Sequence, residues 1–306
     1  QALEKSPEFR QECESNPIAK QIIETGKVIE GMVRNVGTHA AGVIIADRPL
    51  KELVPLTTQD GILTTQFPKD PVEDLGLLKM DFLGLRNLDV ITDTLILIKS
   101  TRDFDLDIDR VDLDDKETFR MLSRGDSIGV FQLESGPIRS LMRSLHPTSF
   151  DDVAALVALY RPGPMAANMH NDFADRKNGR KSVTYFHEDA ESLLSDTYGL
   201  MIYQESVMRV AQKFAGYSLA QADNLRKACG KKDRALMKKE KAGFLAGCDK
   251  TGYDASLAEE LFEIIEQFAD YAFNKSHSYG YGFVAYQTAF LKANYPVEYL
   301  AALLTS

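Results

Sequence analysis

A lysine and an aspartate stand two residues apart in Leu77-Leu78-Lys79-Met80-Asp81-Phe82, a short apolar segment whose alternation predicts a strand. Side chains two apart in a strand share a face, roughly 7 Å from one another along it. A hard divalent cation needs carboxylate oxygen and a triphosphate needs a cation beside it, so Lys79 with Asp81 is an arrangement suited to phosphate and metal. Leu78, Met80 and Phe82 would then form an apolar row on the other face and anchor the strand in a core. Taken alone, a solvated surface ion pair is the commoner meaning of two such residues.

Three further clusters could carry chemistry. Arg34-Asn35-Val36-Gly37-Thr38-His39-Ala40-Ala41-Gly42-Val43 packs small residues around His39 at the mouth of a predicted strand. Glycine and alanine there permit close backbone approach, and His39 can contact phosphate or orient a neighbour. A structural histidine with satisfied hydrogen bonds is the plainer alternative. Arg226-Lys227-Ala228-Cys229-Gly230-Lys231-Lys232 places four cations within about two turns at the end of a predicted helix, where guanidinium and ammonium groups neutralise phosphate. Phe273-Asn274-Lys275-Ser276-His277-Ser278-Tyr279-Gly280-Tyr281-Gly282 mixes donors, a cation, rings and glycines. Such a junction can grip a nucleotide, and it can equally be a polar corner between helices.

The elements that must position these residues change character along the chain. Ile18, Ile22, Ile23 and Ile29 after Pro17 predict one or two short helices up to Glu30. Short strands follow at Ala41–Ala46, Ile62–Gln66 and Leu77–Phe82, set apart by Pro49, Pro55, Gly61 and Pro68. Leu88, Ile91, Leu95 and Ile98 then begin a helical pattern that continues to the last residue. Ser149 with Asp152, Ser218 with Gln221, and Ser256 with Glu259 have capping-box spacing. Gly230 and Asn274 suit the ends of the Ser218 and Ser256 helices.

Composition fits a folded chain: 44% of 306 residues are hydrophobic and 26% charged. Neither a membrane span nor a signal peptide is visible, which predicts a cytoplasmic setting. Cys13, Cys229 and Cys248 are far apart and lack zinc-ligand spacing with histidine, so buried or incidental thiols are expected. The net charge of −9 hides a segregation: residues 201–250 carry +6 and the remainder −15. A local positive field suits a polyanion, and a lysine-rich solvated helix face is the alternative. The acidic run from Asp103 to Asp109, with Asp112, Asp114 and Asp115, reads as solvated surface.

Six motifs, in order, resemble the bacterial replicative DNA polymerase III alpha-subunit family. They are Gly37-Thr38-His39-Ala40-Ala41-Gly42-Val43, Leu78-Lys79-Met80-Asp81-Phe82-Leu83-Gly84-Leu85-Arg86-Asn87-Leu88, Val130-Phe131-Gln132-Leu133-Glu134-Ser135, Tyr160-Arg161-Pro162-Gly163-Pro164, Gly199-Leu200-Met201-Ile202-Tyr203-Gln204-Glu205 and Phe273-Asn274-Lys275-Ser276-His277-Ser278. The resemblance implies an α+β, predominantly helical fold: part of a polymerase-beta-like nucleotidyltransferase palm sheet followed by a large all-helical fingers domain. Residues 1–36 would end a thumb, 37–86 form a second palm segment, and 87–306 form fingers truncated at their carboxy terminus.

The same resemblance implies that a primer 3′-hydroxyl attacks a deoxynucleoside triphosphate with two magnesium ions held by three aspartates, and it makes Asp81 the third of these. Lys79 would meet the nucleotide or primer end. His39, Arg226, Lys227, Lys231, Asn274, Lys275, Ser276 and His277 are expected at nucleotide, and Arg161 and Lys232 at DNA. Many family members carry arginine where Lys227 stands, so fork geometry gives way there to a point charge. The family's first two aspartates lie in a proline-led Asp-x-Asp-x-Asp-Phe motif, and nothing before Asp81 offers it. The expectation is therefore a fragment that does not extend primers alone. Its implied partners are primer-template DNA and deoxynucleoside triphosphates, with the sliding clamp and other replisome subunits meeting regions absent here, in a nucleoid-associated replisome. A non-catalytic helical module binding nucleic acid or protein is the alternative.

Overall fold

The computed structural model describes residues 5–231, 234–268 and 273–306, and the chain divides into two compact units at Gly84/Leu85. In the first unit, Ser6 and Asn16 cap helices α1 (Pro7–Ser15) and α2 (Pro17–Ile29), each accepting first-turn amides. The proline that follows each cap loses no hydrogen bond, because the first helical N–H has no partner within the helix. Strand β1 (Gly42–Ile45) comes next, then β2 (Leu56–Gln59), β3 (Ile62–Thr65), helix α3 (Lys69–Asp74) and β4 (Leu78–Asp81). Strands β2 and β3 form a hairpin whose turn residues Asp60 and Gly61 both have positive φ, 50° and 79°. That twist matches the twist of the flanking strands. Strand β1 pairs antiparallel with β4, setting Gly42 opposite Asp81, Val43 opposite Met80 and Ile44 opposite Lys79.

This pairing overturns the expected burial of β4. Val43, Ile45, Leu78 and Met80 share one face and are 41–56% exposed, and Phe82 beyond them is also exposed. The Lys79 side chain, expected on an open face, is only 11% exposed. Its stem lies against Gly42, where an added Cβ would come within 3.1 Å of Lys79 Cε. A lysine stem covers backbone as an apolar chain would while its ammonium stays polar, so the covered side of the ribbon is the lysine side.

The second unit is helical, and it is built from α4 (Arg86–Arg102), α5 (Lys116–Arg124), α6 (Gly136–Leu145), α7 (Phe150–Leu159), α8 (Met169–Lys177), α9 (Gln204–Ala215), α10 (Leu219–Lys231), α11 (Arg234–Thr251), α12 (Ala255–Phe268), α13 (Lys275–Asn294) and α14 (Pro296–Thr305). Short helical turns join several of them. One core gathers Leu122, Leu133, Met142, Leu156, Phe173 and Tyr286 from α5 to α8 and α13. A second gathers Val210, Phe214, Leu225, Phe244, Phe262 and Ile265 from α9 to α12. A third joins Val90, Ile91 and Ile98 of α4 to Leu291 and Tyr299. Helix α13 crosses α7 closely: a Cβ on Gly282 would stand 3.0 Å from Ala154 Cα, and Ser278 Oγ donates to Ala154 O at 2.5 Å. Arg102 at the end of α4 forks onto Glu298 of α14 at 2.7 and 3.0 Å, with its guanidinium over the Tyr295 ring.

The capping box predicted at Ser149 is present, and Ser218 with Gln221 exchanges the same bonds. The Ser256 start is corrected. Helix α12 begins at Ala255, ahead of the predicted cap, so Asp254 takes that role and accepts from Leu257 N at 2.9 Å. Asn274 does not end that helix; its Oδ1 accepts from His277 N and opens α13 instead. An amide oxygen satisfies a helix start as well as an asparagine satisfies a helix end, and spacing alone does not separate the two. Helix α10 likewise runs through Gly230 to Lys231. All three cysteines are buried and free, and burial pushes the Cys229 and Cys248 thiols up to about 12 and about 11. Among the described residues no helix is long and apolar enough to cross a membrane.

Candidate functional site

The predicted residues fall into two groups, one in each unit. In the first, β4 carries Lys79 and Asp81 on one face, and Lys79 Nζ donates to Asp81 Oδ1. His39 stands beside them, its Nδ1 accepting from Ala41 N at 3.2 Å and lying 3.8 Å from Asp81 Oδ1. Gly42 makes the three-residue cluster possible, because a side chain there would meet both His39 and Lys79. The hydrogen bond from Lys79 holds the Asp81 carboxyl below its ordinary range, and the charges of Lys79 and His39 add to that. Asp81 is 54% exposed at its side chain, so it stays open to a partner in solvent.

A two-magnesium centre requires several carboxylates converging on the ions. Among the described residues no three His, Cys, Asp or Glu side chains gather in that way. The neighbours of Asp81 are a cation and an imidazole. The described residues do not fit such a centre.

The second group is assembled from four places in the sequence. Tyr203 bridges to Phe273 and Gln204 N donates to Phe273 O at 2.8 Å, which stitches the start of α9 to the start of α13. Glu205 completes the stitch, accepting from Asn274 Nδ2 at 3.2 Å and Lys275 N at 2.9 Å. Arg226 on α10 reaches Gln204 Oε1 at 3.4 Å. Arg161 lays its guanidinium 4.1 Å above the Phe273 ring, anchored by Nε on Ala158 O, and burial lowers its pKa. Arg161, Arg226, Asn274 and Lys275 therefore meet around one pair of helix starts.

Each cation there already has an anion or a ring. Asp223 holds Arg226 at 2.8 Å and Lys227 at 2.9 Å, and hydrogen bonds from Lys227 and Arg226 keep its carboxyl below the ordinary range. Lys275 Nζ pairs with Asp196 at 3.0 Å and lies over Tyr203 and Tyr279. His277 packs its ring between Phe273 and Tyr281, at 5.4 and 4.3 Å, as a residue of a helix corner does. Ser276 is exposed. The Lys231 side chain and all of Lys232 lie outside the described residues.

Sequence reasoning missed the acidic and amide partners. Gln204 and Glu205 sit inside the fifth family motif, with nothing local to mark them as partners of α13. Asp223 stands three and four residues before Arg226 and Lys227, the spacing of helix-surface ion pairs, and that signal was readable. Asp196 offered none, because it reaches Lys275 from 79 residues away.

Comparison with known proteins finds relatives over both units of the chain. A model of the bacterial DNA polymerase III alpha NTPase domain matches residues 1–84, and one of the bacterial DNA polymerase III alpha subunit finger domain matches residues 87–252. DNA polymerase III subunit alpha of Mycobacterium tuberculosis is 51% identical over 98% of the chain, that of Campylobacter jejuni 44% over 100%, and that of Bacillus subtilis 43% over 100%. The chain spans about a quarter of the length of these relatives, 26–27%.

Proposed function

The chain belongs to the bacterial DNA polymerase III alpha family, and from that membership we propose that it is the part of a replicative DNA-directed DNA polymerase that receives deoxynucleoside triphosphate and primer-template DNA. The observation that carries the reading is the meeting of Arg226, Arg161 and Lys275 around the stitched starts of α9 and α13, with Lys227 beside Arg226 on the shared Asp223. Guanidinium and ammonium groups beside helix N-termini form a positive site for a polyphosphate. The triphosphate exchanges with Asp223 for Arg226 and Lys227. Arg161 and the rings of Phe273 and His277 offer flat surfaces on which a base stacks.

In the first unit we assign Asp81 one carboxylate toward a divalent metal and Lys79 a charge toward phosphate. One carboxylate cannot fix two ions, so these two residues by themselves do not accomplish nucleotide transfer. Two binding assays and one activity assay test the reading. Titration with a fluorescent deoxynucleoside triphosphate at low salt should give saturable binding that falls roughly tenfold in Arg226→Ala and less in Lys227→Ala, since a fork grips phosphate better than a point charge. Primer-template DNA should bind and be released as salt rises, while primer extension with magnesium stays absent. Triphosphate affinity that survives both substitutions together overturns the assignment of these cations, and steady extension overturns the one-carboxylate argument.

A further inference from the structure

A cavity of about 600 Å³ opens where α4 and α6 begin, lined by Arg86, Asn87, Gln132, Ser135 and Tyr160 among others. None of these five side chains makes a hydrogen bond or ion pair among the described residues. That is unusual for the second unit, where the cations of the site above are already engaged. Asn87 and Tyr160 are half-buried and the other three are exposed. Helix α4 also starts without a side-chain cap behind Leu85, which leaves the N–H groups of Arg86 and Asn87, both residues of the wall, without a partner inside the helix. The one carboxylate in the wall, Glu134, is turned to the amide of Gly129 at 3.2 Å. Gln132 is held at φ 62°, a left-handed conformation that few residues other than glycine adopt.

The groups divide by chemistry. Arg86 and the uncapped amides suit a phosphate. The amides of Asn87 and Gln132 each present a donor and an acceptor to the edge of a base. Tyr160 offers a ring face. Phe131, also in the wall, has its ring 5.4 Å from Tyr281, whose ring is 4.3 Å from His277. An aromatic row thus joins the cavity to the start of α13. We propose that this cavity is a second nucleotide site, sharing no residue with the Arg226 group, that takes one nucleotide unit with its phosphate on Arg86 and its base between Tyr160 and the amides of Asn87 and Gln132. The inference rests on reading the chain as a handler of nucleotides, and it adds a seat for a nucleotide beyond the triphosphate.

The test uses the whole chain and a short oligodeoxythymidylate carrying 5-iododeoxyuridine, which cross-links to aromatic side chains under light. The expected adduct maps to Tyr160. Its yield falls about five- to tenfold in Arg86→Gln and in Gln132→Gly, while the Arg226→Ala chain keeps it. Gln132→Gly is chosen because glycine adopts that φ without strain, and an unchanged melting midpoint verifies folding. Displacement by unlabelled oligonucleotide alone assigns the seat to a nucleotide within a strand. Displacement by thymidine triphosphate alone assigns it to a free nucleotide. An adduct elsewhere, no adduct, or a yield indifferent to both substitutions overturns the proposal. If triphosphate binding at Arg226 persists in that event, the broader reading stands. If it too is absent, both fail.

Discussion

At the scale of residues, the candidate site is a set of cations held in readiness by carboxylates. Asp223 holds two of them, so Asp223→Asn should release Arg226 and Lys227 and raise triphosphate affinity severalfold in the same fluorescence titration. A weaker affinity would mean that Asp223 aims the two cations instead of restraining them. The candidate residues to which the sequence pointed were charged ones in recognisable surroundings: Asp81, Lys79 and Lys275 lie in motifs of the family resemblance, and Arg226 lies in a cluster of four cations. The partners that position them were not legible, because Glu205 and Asn274 are 69 residues apart and no local pattern reports such a contact. His39 shows the same limit. Its bond to Ala41 N is local, but its place beside Asp81 depends on the β1 and β4 pairing.

At the scale of elements, close helix crossings and helix-to-helix ion pairs set stability. Gly282 lets α13 rest on Ala154 of α7, so Gly282→Val should destabilise the second unit by about 1–3 kcal/mol through overpacking, read as a lower denaturant midpoint. The Arg102 fork holds Glu298 of α14 well below the ordinary glutamate value of 4.5, at about 2. A carboxylate whose folded pKa is depressed adds stability that is fully present above its unfolded pKa and is lost as pH falls through the folded one. The wild-type advantage in melting midpoint over Glu298→Gln should therefore be complete above about pH 5 and vanish between 4.5 and 2. An advantage independent of pH would assign the effect to packing against α4. Element types were largely readable, since period and caps are local. Ser149 and Ser218 cap as spacing predicts, whereas Ser256 does not, because Asp254 two residues earlier starts the helix by accepting from Leu257 N, and the Ser256 hydroxyl donates to that same carboxylate. The β4 face was misread because alternation says which residues share a side and not which side is covered. Lys79 with Gly42 reversed the usual answer.

At the scale of the whole molecule, the switch between short strands and long helical periods near residue 85 was legible in the residues, and the family resemblance implied the α+β, predominantly helical class. The division into two units falls there too. The segregation of charge was equally plain, with residues 201–250 at +6 inside a chain of net charge −9. What composition could not convey is that much of this positive charge is internally neutralised. Arg226, Lys227 and Lys241 of this stretch face carboxylates within 3.0 Å, and so does Lys275 beyond it.

If the proposed binding of DNA holds, those internal partnerships set its salt dependence. When no triphosphate is present and a strand phosphate takes its place against Asp223, the strand sheds condensed sodium but the liberated carboxylate recaptures part of it, so the net ion release is smaller than a count of lysines and arginines suggests. A plot of log affinity against log salt should thus descend less steeply than the ordinary slope of roughly −0.7 per phosphate engaged on a single strand, and Asp223→Asn should steepen it. The basic helical lobe would behave as an ion exchanger, trading one anion for another at nearly constant charge.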